Sequence, residues 1–260
     1  MRMQTFSRVS IMAIASFSLS NIDASFAASA DLCADAQTPS EHILACSAVI
    51  EENSRTSPDL EVAYVNRGLA YFETNDLARA IADFNSAIAI FPQDANAYQA
   101  RAIAHAAQAD YAHAVADNRR AIQIDPLATR AYNNLANELK AQGKTEEALA
   151  NYDRAIELSP NEPKLYFNRG KAQKALGRLY DAIQDYDHAI ALDGTFLSAF
   201  IARGNAYAAS GKLQSAEADY NHVLAIDPMN NAAIVNKLTL DRLGPTAARS
   251  EIPPVSTSSR

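Results

Sequence analysis

Cysteine and glycine are scarce in this chain of 260 residues, and tryptophan is absent. The two cysteines, Cys33 and Cys46, form neither a Cys-x-x-Cys redox motif nor a cluster able to hold a metal. The glycines do not form a phosphate-binding loop, which needs four residues between its glycines and a hydroxyl residue after the lysine. Here six residues separate Gly204 from Gly211, and Leu213 follows the lysine. These shortages exclude several common kinds of catalytic site.

Positive charge is also in deficit. The chain has 23 Lys and Arg against 30 Asp and Glu, which gives a formal net charge of −7. Binding to nucleic acid depends on basic groups that neutralise phosphates. The composition therefore argues against nucleic acid as a general partner and against adsorption on anionic lipid.

The apolar stretch at residues 9–19 is too short to span a bilayer well, and serines interrupt it. Arg2 and Arg8 precede this apolar stretch, and Ala-Ser-Ala at residues 28–30 offers a cleavage site. This three-part layout is typical of a secretory signal peptide. We expect a cleaved signal at residues 1–30, a periplasmic or secreted protein, and no membrane insertion after cleavage; the alternative is an uncleaved anchor.

Both cysteines follow this predicted signal directly. Because an exported chain meets oxidising conditions, we predict a Cys33–Cys46 disulfide that braces an N-terminal capping segment at residues 31–60. Closing this loop stabilises the fold by roughly 2–3 kcal/mol. The alternative is a pair of reduced thiols packed as small apolar groups.

What the chain has in abundance is internal repetition with a period of 34 residues. Four columns recur at fixed phases: aromatic (Tyr64, Tyr98, Tyr132, Tyr166, Phe200), small (Gly68, Ala102, Ala136, Gly170, Gly204), alanine (Ala80, Ala114, Ala148, Ala182, Ala216) and proline (Pro92, Pro126, Pro160, Pro228). A period of this size indicates one small unit stacked on itself. We divide residues 61–230 into five repeats, at 61–94, 95–128, 129–162, 163–196 and 197–230.

Apolar spacings of three and four within each repeat predict two helices, A and B, joined by a tight turn. Gly143, Gly177 and Gly211 fall at this turn in the later repeats, where glycine accepts a left-handed backbone. Asp125-Pro126 and Asp227-Pro228 predict that helix A begins at the proline, with the aspartate as its cap. Ser159-Pro160-Asn161-Glu162 adds a capping-box pattern.

The columns resemble the tetratricopeptide repeat, with Leu135-Ala136, Tyr152, Ala155 and Pro160 of the third repeat at motif positions. The resemblance implies an all-α fold, a right-handed α-solenoid of helix-turn-helix repeats, with capping helices at both ends. Helices predicted over residues 40–52 and 231–244 supply the caps, and the Pro-, Ser- and Thr-rich residues 245–260 predict a disordered tail. The repeats depart from the family at the tryptophan position, which is Tyr or Phe here. Asn118 replaces the helix B aromatic, and Gly194 replaces a proline.

Arginine stands at a column where the family usually has leucine, and helix B carries a column of aspartates. The third repeat alone has Leu135 in place of arginine and Asn151 in place of aspartate. Because the two exceptions coincide, we predict structural ion pairs within the other repeats (Arg67–Asp83, Arg101–Asp117, Arg169–Asp185, Arg203–Asp219). The alternative is an arginine row that binds an anionic partner. An unpaired arginine beside a packed stripe would be costly, which favours the pairs.

No catalytic group emerges from the sequence. His188 and His222 lie a full repeat apart and are expected to be solvated, and His105 replaces an aromatic and is expected to be a packed ring. The acidic residues are scattered, so no acid–base pair can be assigned. We therefore expect no enzyme activity, no cofactor and no metal site.

In the family that this chain resembles, one face of helix A lines the concave surface and contacts ligands. In the first, second and fifth repeats that face is apolar or small, whereas in the third and fourth it is basic and polar, without acidic residues. Asparagine can grip a peptide backbone with both a donor and an acceptor, and lysine can hold a carboxylate. We predict a partner-binding patch, hereafter the basic patch, at Arg130, Asn133, Asn134, Asn137, Lys140, Lys164, Asn168, Lys171 and Lys174. An ordinary solvated face is the alternative.

Some members of the family hold a C-terminal carboxylate with a clamp of Lys, Asn, Asn, Lys and Arg. Asn137 and Asn168 match its asparagines, but Asn133, Ser198 and Ala202 stand at its basic positions, so we do not transfer that specificity. We expect an adaptor or scaffold that binds a protein or peptide, such as an acidic or C-terminal segment. The alternative is a structural component of a cell-envelope complex that acts through self-association or apolar packing. The oligomeric state is left open.

Overall fold

The computed structural model describes residue 33, residues 36–52 and residues 57–250, the last eight as backbone only. The predicted signal at residues 1–30 and residues 251–260 of the predicted tail lie outside these residues. The described part contains twelve helices and no strand: α1 Pro39–Glu51, α2 Ser57–Glu73, α3 Leu77–Ile90, α4 Ala95–Ala107, α5 Tyr111–Ile124, α6 Thr129–Ala141, α7 Thr145–Leu158, α8 Pro163–Ala175, α9 Leu179–Leu192, α10 Leu197–Ala209, α11 Leu213–Ile226 and α12 Asn231–Ser250. None of these helices is both long and apolar enough to cross a membrane. The fold is the all-α solenoid of helical hairpins that the sequence predicts.

The chain divides into two compact bodies, one ending at Pro126 and one beginning at Leu127. In the N-terminal body, α2 pairs with α3 and α4 with α5, and α1 packs on α2. Thr38 caps α1 with a capping box that includes Glu41, so this helix begins one residue earlier than predicted. A disulfide joins Cys33 to Cys46 of α1, and both cysteines are buried with Val49 and Ala63. The predicted capping segment is therefore a short helix tied to the residues before it.

In the C-terminal body, the hairpins α6–α7, α8–α9 and α10–α11 correspond to the third, fourth and fifth repeats. The last helix, α12, packs on α11 and α10, as expected of a cap. It continues to Ser250, although the sequence predicted its end at Gly244 and a tail from residue 245. The residues after Pro245 include Ala247, Ala248 and Arg249, whose high helix propensity favours continuation of the helix.

In the first, fourth and fifth repeats, an aromatic ring of helix B packs on a glycine of helix A. A Cβ atom on Gly170 would lie 2.8 Å from Cε1 of Tyr186, and one on Gly204 would lie 2.7 Å from Cε1 of Tyr220. Both distances are too short for carbon atoms in contact. The small column of the sequence is thus explained by the close approach of the two helices.

The turn between helices A and B takes a left-handed backbone in every repeat. Gly143, Gly177 and Gly211 have φ of 80°, 76° and 79°, whereas Asn75 and Ala109 adopt 61° and 59° without being glycine. The predicted glycine turns are therefore present in the later repeats. In the first two repeats the same turn is made at a small cost in backbone strain.

The prolines do not begin helix A. Pro126, Pro160 and Pro228 lie in the turns that follow helix B, and α6, α8 and α12 begin three residues later, at Thr129, Pro163 and Asn231. Asp227 makes a local turn instead, because its carboxylate accepts from the Met229 N–H and from the Asn230 side chain. The predicted capping box is also wrong, since Glu162 is the N-cap of α8. Aspartate followed by proline is equally favourable in a turn, which explains the error.

Candidate partner-binding surface

The arginine and aspartate columns meet within each repeat that contains both. The guanidinium groups of Arg169 and Arg203 bind both carboxylate oxygens of Asp185 and Asp219, at donor–acceptor distances between 2.6 and 3.0 Å. The pairs Arg67–Asp83 and Arg101–Asp117 have the same two-pronged geometry, with distances of 2.6 to 2.8 Å. All four aspartates are buried. These arginines therefore join helix A to helix B, and their guanidinium groups are already occupied.

Three of these arginines also reach back to the preceding helix B, a contact that sequence reasoning missed. The third nitrogen of Arg169 donates to Asp153 at 2.7 Å, and that of Arg203 donates to Asp187 at 2.6 Å. Arg101 reaches Asn85 in the same way. In these three cases the partner lies 16 residues earlier, just as the aspartate of the pair lies 16 residues later, whereas Arg67 donates to Ser47, 20 residues earlier, at 2.9 Å. A polar residue at that second spacing was the available signal.

The basic patch lies on the helix A face of the C-terminal body, on α6 and α8, which contact each other. Its asparagines are partly engaged in holding that surface together. The amide of Asn168 donates to Oδ1 of Asn133 at 3.0 Å, and the hydroxyl of Tyr152 donates to Oδ1 of Asn137 at 2.7 Å. Asn133 also donates weakly to Asn134 at 3.5 Å. The amide groups are thus positioned before any partner binds.

The cations of the patch have no acidic partner among the residues that the structure describes. Arg130, Lys164 and Lys171 are exposed, while Lys140 and Lys174 are half-buried. Burial, together with the charge of nearby Lys171, lowers the pKa of Lys140. Like charges held close without a counterion make a surface that favours a bound anion.

A cavity of about 570 Å³ opens beside the lysines of α8. Its walls combine rings and aliphatic side chains with a few polar groups, namely Phe167, Lys171, Lys174, Ala175, Tyr186, Ser198, Ile201, Ala202, Asn205 and Ala232. Lys171 lies with its ammonium 5.2 Å from the centre of the Phe167 ring. Four of these residues belong to the predicted basic patch or to the incomplete clamp (Lys171, Lys174, Ser198, Ala202), whereas Tyr186 of α9 was not predicted.

Tyr186 differs from its counterparts in the neighbouring repeats. The hydroxyls of Tyr152 and Tyr220 each donate at 2.7 Å to an asparagine of helix A, Asn137 and Asn205 respectively. At the equivalent position of the fourth repeat stands Lys171. The Tyr186 hydroxyl is buried and, without this asparagine, has no hydrogen-bond partner in the described part of the chain. Burial raises the pKa of this phenol, so it is a neutral donor.

Family models match most of the repeat array. The model described as TPR repeat matches residues 68–109 and 136–177, and the model described as tetratricopeptide repeat matches residues 163–196 and 197–230. No curated protein matches the chain in sequence.

Several solved structures share the fold. YrrB, described as a TPR protein with an unusual peptide-binding site, is 22% identical with a TM-score of 0.58, and the alignment covers 74% of this chain and 97% of that chain. A TPR protein from Thermus thermophilus is 21% identical with a TM-score of 0.57, covering 70% and 99%. MamA from Desulfovibrio magneticus is 16% identical with a TM-score of 0.61, covering 66% and 97%. At these identities the likeness concerns the fold.

Proposed function

This chain belongs to the tetratricopeptide repeat family, and we propose that it is a non-catalytic adaptor that binds a peptide segment of a partner protein. The segment lies on the helix A face of the third to fifth repeats. The coarse part of the proposal follows from the fold, because stacked helical repeats present a continuous surface for another chain. The choice of face rests on the basic patch and on the cavity beside it.

The observation that carries the proposal is the unpartnered hydroxyl of Tyr186. A buried hydroxyl without a partner costs about 1–3 kcal/mol. The two neighbouring repeats avoid that cost with an asparagine, and the fourth repeat replaces the asparagine with Lys171. A ligand atom that accepts a hydrogen bond would satisfy the tyrosine and, if it is anionic, the lysine as well. Tyr186 and Lys171 both line the cavity, and we infer that a ligand bound there supplies the missing acceptor.

The chemistry of the cavity defines the segment. Phe167, Ile201 and Ala202 provide an apolar wall, whereas Lys171 and Lys174 provide positive charge at the same opening. An apolar side chain next to a carboxylate fits both features, since the apolar group is removed from water while the carboxylate accepts charge-assisted hydrogen bonds. We therefore propose an acidic segment or a C-terminal residue as the ligand. YrrB, whose description names a peptide-binding site, supports a peptide as the kind of partner.

The location of the protein is proposed from residues 1–30. A cleaved signal peptide would place the chain in the periplasm or outside the cell, where the Cys33–Cys46 disulfide is stable. Mass spectrometry of the protein recovered from the cell envelope and the medium tests this. A mature N-terminus near residue 31 is expected, and an intact residue 1 in the cytosol would refute the proposal.

The binding proposal is tested with acidic hexapeptides that carry an apolar last residue and either a free or an amidated C-terminus. Fluorescence anisotropy measures their affinity for the protein, for Lys171→Glu and for the matched control Lys144→Glu, which changes an exposed lysine outside the patch. We expect Lys171→Glu to weaken binding of the free-acid peptide by about tenfold or more, equal to 1.4 kcal/mol, and the control to leave it unchanged. Equal binding by all three proteins would remove the patch from consideration.

The alternative function, self-association, is favoured by a different surface. Val62, Leu69 and Ile103 of the N-terminal body expose 47%, 42% and 43% of their surface although they are apolar. Sedimentation of the purified chain over a hundredfold range of concentration distinguishes the two ideas. If the chain is a monomer at every concentration, the adaptor proposal is retained and self-association is rejected. A dimer that Val62→Glu dissociates would instead support assembly.

A further inference from the structure

Three metal-ligating side chains converge at the helix turn of the second repeat. His105 lies in the last turn of α4, Asp110 caps α5, and His113 lies in the first turn of α5. Nδ1 of His113 is 2.6 Å from Oδ2 of Asp110, and Nδ1 of His105 is 3.7 Å from the same oxygen. One ligand atom from each residue lies within 4.8 Å of the other two. Of these three residues the sequence analysis considered only His105, as a packed ring, and it expected no metal site.

The first repeat shows what this turn needs for structure alone. At the equivalent positions, 34 residues earlier, stand Tyr71, Asp76 and Arg79. Asp76 accepts from the backbone N–H of Arg79 and pairs with its guanidinium, which lies 4.4 Å from the centre of the Tyr71 ring. Capping, charge pairing and ring stacking are thus complete without histidine. The second repeat keeps the aspartate and replaces both of its neighbours with imidazoles.

A second observation concerns His105 itself. Its Nδ1 atom is buried and has no hydrogen-bond partner among the described residues, although the atom faces the Asp110 carboxylate. A neutral imidazole has one ring nitrogen without a proton, which can offer a lone pair to a metal ion. A packed ring with only a structural purpose has no use for a nitrogen left without a partner.

We propose that His105, Asp110 and His113 bind a divalent transition-metal ion such as Zn²⁺. Imidazole and carboxylate ligands suit Zn²⁺, Ni²⁺ and Cu²⁺, whereas Ca²⁺ and Mg²⁺ prefer sites made of oxygen. In a tetrahedral site with bonds of about 2.0 Å, ligand atoms lie about 3.3 Å apart. The side chain of His113 is 70% exposed, so it can turn away from Asp110 to reach this spacing. Three protein ligands leave a fourth position for water or for a partner's side chain.

Isothermal titration of the tag-free, full-length protein with ZnCl₂ tests the proposal. We expect one ion per chain, and no competition from a hundredfold excess of Mg²⁺ or Ca²⁺. The double variant His105→Tyr/His113→Arg recreates the set of the first repeat and should therefore keep its fold, which circular dichroism verifies. It should bind Zn²⁺ at least tenfold more weakly. His222→Ala, which removes an exposed histidine elsewhere, is the matched control and should bind like the wild type.

A spectroscopic measurement makes the test independent of affinity. Co²⁺ bound in place of Zn²⁺ should give visible absorption bands of a low-symmetry site in the wild type and none in the double variant. The proposal is overturned if the double variant binds Zn²⁺ as tightly as the wild type, or if His222→Ala loses as much affinity. Binding that Mg²⁺ or Ca²⁺ abolishes equally would overturn it as well. None of these outcomes bears on the peptide site of the third to fifth repeats.

Discussion

Replacing Lys171 with asparagine should make the protein more stable and a poorer binder. The substitution gives the fourth repeat the residue that stands at this position in the third and fifth repeats. There the asparagine oxygen lies 2.7 Å from the tyrosine hydroxyl. The three hairpins have helices of equal length and the same left-handed glycine turn, so the new amide should reach Tyr186 without rearrangement.

Three contributions set the size of the effect. A new hydrogen bond to a buried hydroxyl is worth about 1 kcal/mol. Lys140 has a pKa lowered by burial and, to a smaller extent, by the charge of Lys171, so removal of that charge adds a smaller gain. Loss of the contact between the lysine and the Phe167 ring, at 5.2 Å, costs about 0.5 kcal/mol at a partly exposed site. The net gain is about 1 kcal/mol, which corresponds to a rise in Tm of about 2–4 °C for a chain of this size.

Thermal unfolding followed by circular dichroism measures the gain, and hydrogen exchange of α8 and α9 locates it. Lys171→Ala is the control, because it removes the charge without supplying an acceptor and should not stabilise. The reverse change, Asn137→Lys, should destabilise the third repeat by about 1–2 kcal/mol by leaving Tyr152 unpartnered. If the Tm of Lys171→Asn is equal to or below that of the wild type, the Tyr186 hydroxyl does not lack an acceptor in the folded protein, and the main support for the peptide site is lost.

Three further predictions concern stability. Asp185→Asn should lower the free energy of unfolding by about 2–3 kcal/mol, because it leaves the half-buried Arg169 charge without its two-pronged partner. Adding Arg169→Leu gives the combination found in the third repeat and should recover about 2 kcal/mol in a double-mutant cycle measured by urea denaturation. Strictly additive effects would refute the pairing. Burial and the carboxylate of Asp94 raise the pKa of Glu61 to about 7, so the folded chain holds a proton that the unfolded chain loses near pH 4.5. Stability should therefore fall by about 1 kcal/mol more in the wild type than in Glu61→Gln as the pH rises from 4.5 to 8, after allowance for solvent screening, and parallel pH profiles would contradict this. Cys46→Ser should lower the stability of the N-terminal body by roughly 2–3 kcal/mol through loss of the loop closure, and an unchanged urea midpoint would speak against it.

The parts of the fold that could be predicted are those fixed within a single hairpin. The pairing of Arg169 with Asp185 could be predicted because the arginine and aspartate columns recur 16 residues apart, and the coincident exceptions at Leu135 and Asn151 indicated that the two columns are coupled. Small residues opposite aromatic rings were readable for the same reason. Local geometry repeats five times in the sequence, so the pattern stands out from chance.

The contacts that were missed depend on the distance between one hairpin and the next. Whether Arg203 reaches Asp187 is decided by how closely the fifth repeat packs on the fourth, and no single hairpin encodes that distance. The prediction that the column prolines begin helix A was wrong for a different reason. Pro126 fits a turn as well as a helix start, and only the packing of the following helix decides between them. Sequence reasoning is therefore weakest where two local structures have similar energies.

The two proposed sites share one property, which also explains why neither was fully visible beforehand. At each site, one repeat keeps the geometry of its neighbours but has a polar group without a hydrogen-bond partner where the neighbouring repeats have no such group. Lys171 leaves the Tyr186 hydroxyl without an acceptor, and His105 brings a buried nitrogen without a donor. In a repeat protein the neighbouring hairpins act as internal controls, because they show what the backbone alone requires. When one repeat departs from its neighbours and leaves a buried polar atom without a partner, binding of a ligand explains the change better than the needs of folding do.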